Sequence, residues 1–125
     1  MQRQGIIKEV KLQNKKNAIK GTPGGNDTTD KVFCLSLDEV AEYFADDKDR
    51  VAIPTEYAKS KVLKEDMDYF LDESSGGGRW RLRSPGRIDE HAADVFGSGW
   101  VYPFGSPVDG DGVGIRPALW INLDS

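Results

Sequence analysis

Few residues in this chain have a type and spacing suited to chemistry, and each candidate lacks part of what its chemistry needs. Asp109-Gly110-Asp111-Gly112 presents two carboxylates in a tight turn, as a calcium loop begins. With Asp109 and Asp111 as the third and fifth positions of such a loop, the twelfth is Ala118, which has no oxygen ligand to offer. A hairpin or loop built of turn formers is the stronger reading. His91 is the only histidine. It follows Asp89 and Glu90 after a Pro-Gly turn, has no nucleophile spaced to use it, and reads as a solvated loop residue. Asp72 and Glu73 are neighbours that point different ways, whereas glycoside hydrolysis needs two carboxylates held across a cleft. Gly76-Gly77-Gly78 precedes a strand instead of opening a helix, so it is no phosphate cradle. Cys34, the only cysteine, rules out an internal disulfide, a CxxC redox pair and a Cys-rich zinc site. The expectation is a noncatalytic domain that holds no metal and no cofactor.

Binding is better served. Trp80, Arg83, Arg116 and Trp120 are residues a ligand would use, because Trp faces and Arg forks hold sugars and carboxylates. The competing reading makes them the fold's own packing, with the arginines bridging loop carbonyls, and it carries more weight. Arg81 alternates with Trp80 and Leu82, which points it outward, and Trp100 adds an aromatic among the loops between residues 86 and 114. The candidate ligand-binding set is therefore Trp80, Arg81, Arg83, Trp100 and Arg116, with a peptide or a glycan as ligand. A structural or self-assembly domain is the alternative, and a small hydrolase the third reading.

The elements that must position these residues are short. Residues 4–12 carry Ile6, Ile7, Val10 and Leu12 and fit a short strand or a helical turn equally. From Asn14 to Asp30 the chain is polar and packed with turn formers, a loop or flexible arm. Lys31–Leu35 is β-branched and aromatic and predicts a buried strand with Cys34 in its core face. Ser36 and Glu39 then make a capping box, with Leu35 and Val40 as its hydrophobic staple. A helix is expected over Leu37–Ala45, ended by Asp46–Arg50, and a second over Thr55–Lys61 behind Pro54. Val62–Glu73 is loosely helical. Strands follow at Trp80–Arg83, Ala92–Phe96, Gly99–Tyr102 and Ala118–Leu123, the middle two joined by a tight turn at Gly97-Ser98-Gly99. Pro117 marks the last of them as a strand start, an edge or a bulge.

The whole has 125 residues, 17 basic and 21 acidic, for a net charge of −4. That length holds one modest domain, read here as an N-terminal arm and polar loop over 1–30 and a single α+β domain over 31–125. A little under a quarter of the chain is Val, Ile, Leu or Phe, just above the roughly 20% below which chains stay disordered. The acidic balance and scattered Lys/Arg argue against nucleic acid as partner. No apolar run approaches the roughly 20 residues that span a bilayer, and none has the shape of a secretory signal.

Three stretches, with a fourth between them, carry a resemblance. They are Thr29–Val40 with Tyr43-Phe44, then Ile53–Lys59, then Trp80–Gly86, then Gly114–Leu123. In order and content they resemble a bacterial family of unassigned function, common in gut anaerobes, with the pattern DKVFLLS.DE…YF, PTEYAK, WWLRSPG and GVRPALWINL. The likeness covers about Asp27 to Leu123. One position departs: the second Trp of WWLRSPG is Arg81 here, which halves any aromatic platform of that pair. The resemblance also implies a longer N-terminal half than this chain carries, hence a partial domain. The late W-x-L-R and G-x-R-P-A elements are similar to those of C-type-lectin-like folds. That implies a mixed α+β domain with one or two helices near the start and a twisted antiparallel sheet of short strands at the C-terminal end. Oxidation of the formylglycine-generating type, found on such folds, needs two active-site cysteines and does not carry over to a chain with Cys34 alone. Parent proteins of the family are expected outside the cell or on its envelope. A sheet edge left bare by the shorter N-terminal half is expected to recruit residues 5–12, by folding back or by exchange with a second copy, and a swapped homodimer is the favoured outcome.

Overall fold

The structure, a computed structural model, describes residues 7–17, 21–110 and 112–121. Its first helix begins where local chemistry dictates. The Glu39 N–H donates to the Ser36 hydroxyl (3.2 Å) and the Ser36 N–H donates to the Glu39 carboxylate (3.0 Å), a reciprocal cap that opens α1 (Leu37–Tyr43). Leu35 and Val40, either side of the cap, are both buried. The acidic run beyond α1 winds into a 3-10 turn, Asp47–Arg50. Thr55 caps α2 (Glu56–Ser60) by accepting from the Ala58 N–H, and a second 3-10 turn, Lys64–Asp66, leads into α3 (Met67–Phe70).

Two antiparallel sheets complete the α+β architecture. β1 (Val10–Leu12) pairs with β2 (Thr28–Asp30), Val10 opposite Asp30. β3 (Trp80–Pro85), β4 (His91–Val95) and β5 (Val101–Pro107) form a three-stranded sheet in that order near the C-terminal end. Its inner face supplies Trp80, Leu82, Ala93 and Val95 to a core closed by Val40, Phe33, Leu35 and Leu12. β5 outruns its expected end because it bulges: Ala92 faces Ser106 while Asp94 faces Tyr102, so four steps of β5 match two of β4. Gly105 turns the bulge at φ +79°, where a Cβ would lie 2.2 Å from the Ala92 carbonyl oxygen.

Several expectations change. Lys31–Leu35 is no strand: Phe33 bonds Ala118 and the Leu35 carbonyl accepts from the Arg83 N–H, so two different partners interrupt any ladder. Phe33 and Leu35 face inward, which leaves Cys34 half-buried on the other side. The C-terminal segment is split likewise, Ala118 pairing with Phe33 and Ile121 with Ile7. Leu119, Trp120 and Ile121 are all exposed, and Trp120, 45% exposed, lies edge-on to Tyr43 instead of in the core. The rest of that expected strand, residues 122 and 123, lies outside the described residues.

Of the polar stretch expected as a loop, Thr28–Asp30 is instead β2, and the described residues ahead of it form a loop that is pinned. Asn17 is buried, and its side-chain amide donates to the carbonyls of Pro85 (3.0 Å) and Pro103 (2.8 Å). The Thr22 hydroxyl donates to the Arg87 carbonyl at 2.9 Å. Within this chain residues 7–17 fold back on their own sheet, with Lys8 N–H on the Trp120 carbonyl. Among the described residues, β5 carries Pro103 and Pro107, its Pro103 and Phe104 carbonyls are taken by Asn17 and the Arg87 N–H, and β3 meets Gly114 and Leu35. No described helix is long and apolar enough to cross a membrane.

Two substitutions test these joints. Ser36→Ala should lower stability by about 1 kcal/mol, read as a shifted urea midpoint at constant m. Asn17→Ala, which strands buried carbonyls, should cost about 1–3 kcal/mol and expose the 13–27 loop to limited proteolysis.

Candidate functional site

A carboxylate inside an apolar strand must be answered. Asp94, between Ala93 and Val95 on β4, is wholly buried, and the answer is Arg79, one residue before β3 and nearly as buried. The Arg79 Nη1 lies 3.5 Å from Asp94 Oδ2 and donates to Ser106 Oγ at 3.2 Å. Ser106 donates its proton to Asp94 Oδ2, so the Tyr69 hydroxyl, also in contact, is the donor to Ser106 Oγ. The guanidinium plane is sandwiched between Tyr69 of α3 at 3.7 Å and Phe96 at 4.0 Å. Asp94 Oδ1 and Arg79 Nε are left without a hydrogen-bond partner among the described residues. Burial accordingly pushes the Asp94 carboxyl above its ordinary value, against the pull of Ser106 and Arg79.

This stack backs an aromatic stripe on the outer face of the β4–β5 hairpin. Phe96 touches Trp100 (5.1 Å between centroids) and Tyr102 (4.9 Å), and Tyr102 touches Phe104 (5.4 Å). Trp100, 51% exposed, stands at the hairpin tip. The tip is held through main chain: the Arg50 Nε donates to the Gly99 carbonyl at 2.7 Å, and Gly99, at φ +93°, packs on the Asp47 carbonyl.

Beside the start of β3, a groove of about 390 Å³ runs between Val51–Thr55 and Gly114–Pro117, with Phe70, Gly78 and Trp80 along it. Arg116 lies there, 4.9 Å from the Trp80 ring and 5.1 Å from Phe44. A larger hollow, about 700 Å³, separates Val10–Lys16 from the start of α1. Its charges answer one another, Lys15 with Asp38 at 3.4 Å and Arg83 with Glu39.

The candidate ligand residues thus do not form one site. Trp80 is 2% exposed and its indole N–H is spent on the Arg50 carbonyl. Arg83 clamps Glu39 and the Cys34 carbonyl. Arg81 is half-buried opposite Asp94. Trp100 lies at the hairpin tip and Arg116 in the groove beside Trp80. Asp72 is a turn former: it accepts from the Ser75 N–H and hydroxyl, and those bonds hold its carboxyl below the usual value. Burial pushes the Cys34 thiol up, against the pull of nearby Arg81 and Arg83. Asp111 of the expected turn lies outside the described residues. Sequence reasoning missed Arg79, Asp94, Ser106 and Tyr69. A signal existed, since a lone Asp in Ala92-Ala93-Asp94-Val95-Phe96 demands a buried cation.

A family model described as a domain of unknown function, DUF6273, matches residues 1–123. The match therefore takes in the N-terminal stretch that the motif likeness, starting near Asp27, leaves out. No curated protein and no solved structure matches the chain.

The sign of the Asp94 shift sets a test. A carboxyl whose folded value is raised contributes stability below the ordinary Asp value, about 3.9, and loses it as pH climbs through the raised value. The stability margin of wild type over Asp94→Asn should therefore shrink from pH 3 upward, as followed by thermal melts of both proteins. A margin that widens with pH would mean that pairing with Arg79 outweighs burial.

Proposed function

The chain belongs to the DUF6273 family, a domain of unknown function, and we propose that it is a noncatalytic recognition domain that binds a peptide or glycan through the β4–β5 hairpin, within residues 86–114. The observation that carries this reading is Trp100: a large aromatic, half exposed at a hairpin tip fixed through its main chain, with Phe96 and Tyr102 stacked beside it. Such a surface offers ring faces to the apolar side of a pyranose or to a peptide side chain. The polar groups behind it favour binding over catalysis, because Ser106, Asp94, Arg79 and Tyr69 are spent on one another and Ser106 is 3% exposed. Self-assembly is the second reading. It draws on Ile7, Tyr43, Leu119, Trp120 and Ile121, all exposed where the two ends of the described chain meet.

Glycan and peptide arrays probed with the purified protein should return a ligand class, and Trp100→Ala should weaken its binding at least tenfold while shifting the melting temperature little. Binding untouched by Trp100→Ala would remove the hairpin from the account. For self-assembly, light scattering across a concentration series should show a dimer mass, and a monomer throughout would end that reading.

A further inference from the structure

Among the described residues, three arginines lie against aromatic rings, and two of them have a carboxylate: Arg79 has Asp94 and Arg83 has Glu39. Arg116 has none within ion-pair distance. Its Nη1 donates to the Arg50 carbonyl at 3.3 Å, and its guanidinium lies 4.9 Å from the Trp80 ring and 5.1 Å from the Phe44 ring. A guanidinium has five donors along the edge of one plane, and with one of Arg116's on a carbonyl the rest of that edge has the geometry that takes a carboxylate by two parallel bonds. Burial without a counter-charge also lowers the Arg116 pKa, which an arriving anion would reverse.

What surrounds that edge is apolar. Pro54, Ala58, Phe70 and Pro117 line the groove, and Ile53 and Ile115 flank its mouth at 68% and 64% exposure. We propose that this groove captures the C-terminal carboxylate of an extended peptide with an apolar last residue. The carboxylate lies on Arg116 and the last side chain over Phe70. The walls favour a chain over a small acid: a small acid inside the groove leaves Ile53 and Ile115 wet, whereas a peptide leaving between them covers both. The protein's net charge of −4 disfavours ligands that carry further acidic groups. The groove and the hairpin tip share Arg50, whose carbonyl accepts from Arg116 and whose side chain holds Gly99, and this proposal does not rest on a ligand at the hairpin.

The test uses fluorescence anisotropy with the full chain and N-terminally labelled hexapeptides ending in Leu, Ile or Val, each made as free acid and as amide. The acids should bind and the amides should bind at least tenfold more weakly. Arg116→Gln should abolish the difference, and Arg116→Lys should keep only part of it. Ile53→Asp, at an exposed position where folding is not at stake, should weaken the acids at least tenfold by placing a carboxylate at the mouth. Equal affinity for acid and amide, no binding of either, or an unaffected Ile53→Asp protein would overturn the proposal. So would a groove that takes hexanoate while ignoring the peptides, since that would make it a small-acid site.

Discussion

The Arg79–Asp94 pair is the constraint around which this small fold is arranged. Removing two charges from water costs several kcal/mol for each, and breaking such a pair by deleting one member typically costs about 3–5 kcal/mol. Asp94 comes from β4, Ser106 from β5, Tyr69 from α3, and Arg79 from the run into β3. Each element must be in place for the others' polar groups to be satisfied. The β5 bulge follows from the same requirement, since its added residues bring Ser106 back to Asp94. A regular hairpin would place another residue there and leave the carboxylate with one partner fewer.

Around this centre the chain closes by side chains reaching for main chain. Asn17, Thr22, Arg50 and Arg83 all donate to backbone carbonyls of segments distant in sequence. Such bonds compensate for a sparse apolar core, because irregular segments carry carbonyls that no ladder satisfies. They also explain how an acidic, loop-rich chain orders its polar N-terminal stretch, where Asn17 and Thr22 are buried beside the apolar Leu12.

What the sequence reveals follows the range of each interaction. The Ser36–Glu39 cap and the Thr55 cap are legible because every atom involved lies within one helical turn. The three-stranded sheet is legible from β-branched and aromatic runs, although not the bulge that lengthens β5. The failures are all questions of partners. Lys31–Leu35 has the composition of a strand, yet its hydrogen bonds go to Ala118 and Arg83 in turn. Trp120 reads by type as the fold's own packing, yet it lies exposed against Tyr43. Among the candidate ligand residues, type alone could not separate Trp80, sealed under Arg116, from Trp100, left in the open. Arg116 and Arg83 look equivalent in sequence, and only the fold gives one of them a glutamate.

The hairpin tip has a consequence for how this family can diversify. Gly99 and its neighbours are fixed by contacts from Arg50 and Asp47 that involve peptide atoms and not the Trp100 indole. The side chain displayed at position 100 is therefore uncoupled from the bonds that shape the loop. A lineage can exchange that residue while the scaffold beneath stays the same, as a fixed socket accepts different tools.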